Sequence, residues 1–279
     1  MFAYLQLMRP INSLMMGFAV IVGYIVASKG VLNISPSLLV LGFLTAFLLT
    51  SSSMVLNDYF DREVDAINNP LKPIPSGKVS PKNAIYFAAF LAFLGIFSAY
   101  LINVLCLAIA LVSGIVSTAY NGYFKKTGFL GNLMVSLCVA IPFIFGAAML
   151  GKIPLHVLIF FTMVFLANTG REITKGIVDV IGDKSKGIMT VAVKYGEFFA
   201  SKLAVAFYML AVFLSPLPWL LGLLSIYYLV LVVIADAGFL YSSIVLLKNA
   251  SRNTALKVKK DVLLWMFIGL VAFLIGSLF

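Results

Sequence analysis

Five aspartates fall in two short motifs of an otherwise apolar chain. Asp58, Asp61 and Asp65 lie in NDYFDREVD, and Asp179 and Asp183 lie in DVIGD. Each motif follows a run long enough to cross a bilayer. Carboxylates are costly beside hydrocarbon, so crowding them at a membrane boundary points to a function. A hard divalent cation is the natural partner. Mg²⁺ is held by one or two carboxylates and completes its shell with water and substrate phosphates. The chemistry implied is metal-assisted handling of a phosphorylated lipid.

Geometry sharpens this. If the preceding helix continues through NDYFDREVD, its turn of about 100° per residue puts Asp58, Asp61 and Asp65 within roughly 60° of one another. Glu63 then points the opposite way and is left out of the site. Asn57 stands beside the acidic face and offers an amide to a metal or a phosphate. In the second motif, i+4 steps place Arg171, Lys175, Asp179 and Asp183 on one stripe. Carboxylates for a metal beside cations for phosphate oxygens suit a metal–diphosphate complex. An EF-hand loop is excluded, because its glycine and terminal glutamate spacing is missing.

The elements that must hold these residues are helices in a membrane. Of 279 residues, 62% are hydrophobic and 11% charged, a composition foreign to soluble domains. Apolar runs at roughly 11–28, 37–56, 84–101, 104–121, 130–149, 154–170, 199–216, 219–246 and 261–278 predict nine transmembrane helices. Ile102 and Asn103 mark the narrowest turn between runs. With the N-terminus inside, all basic residues except Lys29 and Lys152 fall on the cytoplasmic side, as the positive-inside rule requires. The C-terminus is then external. The net charge of +10 reads as topology and attraction to anionic lipids, with no nucleic-acid partner. The first run is taken as a helix of the bundle, without a signal-peptide cleavage pattern.

Two longer cytoplasmic loops, about 57–83 and 171–198, each open on an aspartate motif. Further polar candidates are Arg9 and Asn12 at the start of the first span, with Asn12 expected to face the bundle. Arg62, Lys72, Ser76 and Lys78 lie in the first loop. Tyr120, Asn121, Lys125 and Lys126 lie between the fourth and fifth spans, and Lys186 in the second loop. Cys106 and Cys138 are read as packing residues. Asp236, inside a span, is a functional suspect without a visible partner.

NDYFDREVD resembles the first signature of the UbiA-type intramembrane prenyltransferases, NDxxDxxxD, at Asn57, Asp58, Asp61 and Asp65. DVIGD matches the family's DxxxD at Asp179 and Asp183. Loop placement and span count agree along the whole chain. MRPINSLM, NNPLKPIPSG, YNGYFKKTGFLGN and LANTGREITKGIVDVIGDKSKG are similar to the archaeal branch that makes digeranylgeranylglyceryl phosphate. The chain departs from that branch at Gly176 and Val178, where acidic residues are usual, and at Lys72 and Lys126, where arginine is common.

The resemblance implies an all-α membrane protein. It would be a single domain over 1–279, with nine transmembrane helices around a central chamber capped by the two cytoplasmic loops. It implies two Mg²⁺ ions held by Asp58, Asp61, Asp65, Asp179 and Asp183, with Asn57 assisting. The partners implied are a prenyl diphosphate donor, an isoprenoid glyceryl phosphate acceptor and membrane lipids. Lys125, Arg171, Lys175 and Lys186 would neutralise departing diphosphate, and Arg9, Lys72 and Lys126 would bind the acceptor's phosphate. An aromatic acceptor, as in quinone, haem or chlorophyll pathways, is the alternative reaction. Membrane transport is the alternative class.

Overall fold

The structure, a computed structural model, describes residues 2–30, 35–185 and 187–279. In chain order the helices are α1 (Phe2–Met8), α2 (Pro10–Ser28), α3 (Pro36–Phe60), α4 (Arg62–Asn68), α5 (Pro81–Tyr100), α6 (Val104–Gly122) and α7 (Phe129–Ala148). Then come α8 (Leu155–Val178), α9 (Val180–Ser185), α10 (Val191–Tyr195), α11 (Glu197–Leu214), α12 (Leu217–Leu220), α13 (Ile226–Lys248) and α14 (Arg252–Leu278). Nine helical spans among the described residues are long and apolar enough to cross a membrane. The chain is a multi-pass, all-helical membrane protein. Backbone polar groups in hydrocarbon must be satisfied internally, and helices do this segment by segment.

Local chemistry sets the helix starts. Proline stands at the first position of α2, α3 and α5, where its missing N–H costs nothing. Asn103 Oδ1 accepts from the Cys106 amide at 2.8 Å, so the short turn expected at Ile102–Asn103 is a capped helix start.

The first compact unit comprises Met1–Tyr24, Leu32–Tyr123 and Ile141–Lys152. One core of this unit gathers Leu7 of α1, Val55 of α3, Ala84, Ala88 and Leu91 of α5, and Ile74 and Val79 of the loop between α4 and α5. Burying those two loop side chains stabilises by about 1.5–3 kcal/mol each, enough to pin the loop to α5. Small residues bring backbones together elsewhere. A Cβ on Gly146 would lie 2.1 Å from the Val20 carbonyl oxygen, a close approach typical of membrane helix pairs.

The second unit comprises Ile25–Val31, Phe124–Ala140 and Ile153–Phe279. Ile173 and Ile177 of α8, Tyr208 of α11, Phe239 of α13 and Val258 of α14 share its core. His156 is buried and bonds the Val26 carbonyl at 2.9 Å. Asp236 has a partner distant in sequence: its Oδ2 accepts from Ser215 Oγ at 2.5 Å, at the break between α11 and α12.

Several boundaries differ from expectation. α8 runs to Val178 instead of 170, because Ile173, Thr174, Ile177 and Val178 are buried while Arg171, Glu172 and Lys175 dilute the apolar signal. α14 begins at Arg252 instead of 261. There Ser251 accepts from the Thr254 amide, Ala255 and Val258 face inward, and the lysines of 257–260 lie on helix, not in a connection. α13 begins at Ile226 instead of 219, because Pro216, Pro218 and Gly222 (φ 62°) interrupt the apolar run.

Candidate active site

The first aspartate motif is almost one continuous helix. α3 ends at Phe60, Asp61 keeps right-handed angles (φ −84°, ψ −1°), and α4 follows. The Asp61 amide still bonds Asn57 O at 3.0 Å, and the Asp65 amide bonds Asp61 O at 2.8 Å. Helical phase therefore carries through, and Asp58 and Asp65 share a face. Both are buried, at 4% and 6% exposure. Lys72 Nζ bridges them, 3.2 Å from Asp58 Oδ1 and 2.7 Å from Asp65 Oδ2. Arg9 Nη2 donates to Asp58 Oδ1 at 2.6 Å, and Asn69 reaches Asp65 at 3.5 Å.

Two irregular segments deliver these cations. Arg9 lies between α1 and α2 with φ 46°, an unfavourable conformation for arginine that costs of order 1–3 kcal/mol. The bond to Asp58 helps to hold it. Lys72 stands in the pinned loop. Its amide bonds Asn69 O, and its carbonyl accepts from Ser76, both at 3.0 Å. Burial works against its ammonium, but the hydrogen bond to Asp65 and the charge of Asp58 outweigh this and raise its pKa. A raised lysine stabilises fully below the ordinary lysine pKa of about 10.4 and loses its contribution only as pH climbs through the higher folded value. The ammonium is therefore charged throughout the neutral range.

Other residues of this motif stand apart. Arg62 covers the Tyr59 ring at 4.6 Å, donates to Tyr59 O and pairs with Glu63. The Glu63 carboxylate is 85% exposed, as the helical geometry predicts. Glu63→Ala should change turnover by less than about twofold, since an exposed pair contributes little. A loss in initial rate as deep as that from an Asp61 substitution would overturn the face assignment. Asn12 is exposed. Its neighbour Ser13 is fully buried and bonds Met8 O and Ser51. The start of α2 at Pro10, set by Arg9, fixes that phase.

The second motif lies in the other unit. Asp179 caps α8, its amide bonding Lys175 O at 3.1 Å, and the Asp183 amide bonds Asp179 O at 2.8 Å. The i+4 relation therefore survives the helix end. Val178, Asp179, Ile181, Gly182, Asp183 and Arg252 line an open pocket of about 490 Å³. Arg252 Nε donates to Val178 O at 3.2 Å, capping the negative end of α8. Glu172 gathers the two cations of the stripe, Arg171 at 2.9 Å and Lys175 at 3.2 Å. Arg171 Nε is buried without a hydrogen-bond partner, a donor whose isolation costs about 1–3 kcal/mol and which an incoming anion would satisfy. Lys125 is half-buried and Lys126 exposed in the short 3₁₀ turn Phe124–Lys126. Tyr120 is half-buried near the end of α6. Lys186 lies outside the described residues.

Glu172, Arg252 and Asn69 were not among the residues read from sequence. Glu172 could have been found, as an acid flanked by Arg171 and Lys175 at helical spacing. Arg252 could not, because it arrives from 74 residues away.

These donors fit a hard cation. Among the described residues, no three Asp, Glu, His or Cys groups form a ready-made cage. Mg²⁺ does not require one, since it keeps waters and uses substrate phosphates. The carboxylates offer only oxygen ligands, and Asp58 and Asp65 already draw positive charge from Arg9 and Lys72.

The chain belongs to the UbiA prenyltransferase family, whose sequence profile matches residues 16–271. It is 40% identical over 276 residues to the digeranylgeranylglyceryl phosphate synthase of Methanopyrus kandleri, covering 99% of each chain. It is 37% identical to the enzyme of that name from Methanocaldococcus jannaschii, covering 99% of this chain and 96% of the relative. A solved structure of a digeranylgeranylglyceryl phosphate synthase superposes with a TM-score of 0.91 at 35% identity, over 99% of this chain and 98% of that one. A UbiA homolog from Archaeoglobus fulgidus, solved with DMAPP and Mg²⁺, shares the fold with a TM-score of 0.75 at 20% identity, over 97% and 98%.

Proposed function

We propose that this chain transfers a geranylgeranyl group from geranylgeranyl diphosphate to the glycerol hydroxyl of geranylgeranylglyceryl phosphate, releasing diphosphate and the hydroxyl proton. The observation that carries this is full-length similarity to synthases of that name, with both aspartate motifs intact. The Archaeoglobus protein of the same fold binds a prenyl diphosphate and Mg²⁺.

Asp58, Asp61, Asp65, Asp179 and Asp183 would hold two Mg²⁺ ions, with Asn57 assisting; bound there, the metal neutralises charge developing on the departing diphosphate. Arg171, through its buried Nε, together with Lys175, Lys125 and Lys186, binds diphosphate oxygens. Stabilising the leaving group in this way lets the allylic C–O bond break ahead of full attack by the glycerol oxygen. Arg9, Lys72 and Lys126 are the cations for the acceptor's phosphate. Apolar helix walls hold the prenyl tails and keep water from the electron-poor carbon. The chain acts as a single catalytic domain over 1–279, with the N-terminus and the segments 57–83 and 171–198 cytoplasmic and the C-terminus external.

An acceptor panel tests this reading. Purified protein receives geranylgeranyl diphosphate and Mg²⁺ with geranylgeranylglyceryl phosphate, 4-hydroxybenzoate or no acceptor. Diphosphate release that depends on the glyceryl phosphate is the expected result. Release only with the aromatic acceptor would keep the family and reject the substrate.

A further inference from the structure

The amide of Asn57 is oriented by a chain of hydrogen bonds that begins at a backbone carbonyl. Asn121 sits near the end of α6 and is 6% exposed. One end of its side-chain amide lies 3.1 Å from Ser53 O and 3.1 Å from Ser53 Oγ, both on α3. A backbone carbonyl can only accept, so the Asn121 atom facing it must be Nδ2. Its Oδ1 is then fixed on the opposite side, where Asn57 lies 3.1 Å away. Facing an acceptor, Asn57 must present Nδ2 in turn, which turns its own Oδ1 the other way. Neither amide can flip without setting two acceptors or two donors against each other. Ser117 Oγ, bonded to Ser53 Oγ at 2.6 Å, braces the side of this chain without setting its direction.

We propose that Asn121 is a positioning residue: by way of the Ser53 carbonyl it locks Asn57 with its oxygen, and not its nitrogen, presented as a hard ligand beside Asp58 and Asp61. An amide oxygen ligates a divalent cation, and an amide NH₂ repels one. The orientation of Asn57 therefore decides whether it helps or hinders cation binding. Outer partners of this kind typically change metal affinity 10- to 100-fold. The inference rests on the metal-binding reading of the aspartate motif given above.

The test compares wild type, Asn121→Leu and Ser117→Ala by equilibrium dialysis against Mn²⁺ and inorganic diphosphate, with thermal unfolding measured alongside. Asn121→Leu matches the asparagine in shape but removes the acceptor that faces the Asn57 Nδ2. It should raise the Mn²⁺ dissociation constant about tenfold, and Ser117→Ala, which keeps the carbonyl-to-Asn121-to-Asn57 chain, should leave it unchanged. If Asn121→Leu does not survive extraction into detergent, Asn121→Ala carries the same expectation. Equal Mn²⁺ affinity in wild type and the Asn121 variant would overturn the proposal. So would a loss in Ser117→Ala matching that in Asn121→Leu, which would assign the effect to packing of α3 on α6. If wild type itself bound no Mn²⁺, the metal-binding reading would fall, and the positioning role with it.

Discussion

Asp61→Ala and Asp183→Ala should each lower turnover about a thousandfold, with the protein still folded. One positioned electrostatic group in a water-poor site is worth about 10²–10³ in rate, and loss of a metal ligand belongs at the upper end. On the scale of 1.36 kcal/mol per decade, that is a barrier increase of about 4 kcal/mol. The fold should tolerate both changes. Asp61 has ordinary right-handed angles between α3 and α4, and Asp183 lies in the first turn of α9, so alanine suits both backbones. Neither side chain is fully buried. Initial rates and thermal unfolding in detergent check this together. Retention of more than a tenth of wild-type rate in both variants would refute the assignment.

Lys72→Met gives the second large effect, on stability. Asp58 and Asp65 are buried, and Lys72 pairs with both. Removing the ammonium leaves Asp58 with Arg9, but Asp65 with little beyond the 3.5 Å contact to Asn69. Stranding a buried charge costs about 3–5 kcal/mol. Because the lysine side chain is 26% exposed, water reduces this, and a loss of about 2 kcal/mol is expected in metal-free protein. Methionine keeps the length and apolar stem, so packing on the loop is preserved. Mg²⁺ with diphosphate should narrow the gap, because another positive charge then serves the same carboxylates. Unfolding temperatures with and without those additions measure it. A gap that Mg²⁺ and diphosphate leave unchanged would separate Lys72 and its two aspartates from the metal.

Much of this arrangement is legible in the residues because it is local. The motif's shared face follows from helical spacing, and the backbone bonds from Asn57 to Asp65 keep that spacing through Asp61. Glu63 falls outside for the same reason. The span count was readable because hydrocarbon demands long apolar helices. What local reasoning missed arrives from far along the chain or depends on a phase it does not specify. Arg252 reaches Val178 from α14, Ser215 pairs with Asp236 across a helix break, and Ser13 is buried against Ser51 of α3. The true ends of α8 and α14 were hidden because amphipathic turns with buried Ile177 or Val258 average to a polar signal. Arg9 and Lys72 were recognisable as cations, but their contacts with Asp58 and Asp65 depend on a positive φ and on a loop pinned by Ile74 and Val79.

The most direct test of the proposed reaction follows one oxygen atom. Geranylgeranyl diphosphate carrying oxygen-18 in the bridge between its allylic carbon and phosphorus is given to purified protein with Mg²⁺ and unlabelled geranylgeranylglyceryl phosphate. The reaction proposed here breaks the allylic C–O bond and makes the new ether from the glycerol oxygen. All the label should therefore leave with diphosphate, the lipid product should carry none, and both should form only when the acceptor is present. Label in the lipid product, or diphosphate released equally fast without acceptor, would contradict it.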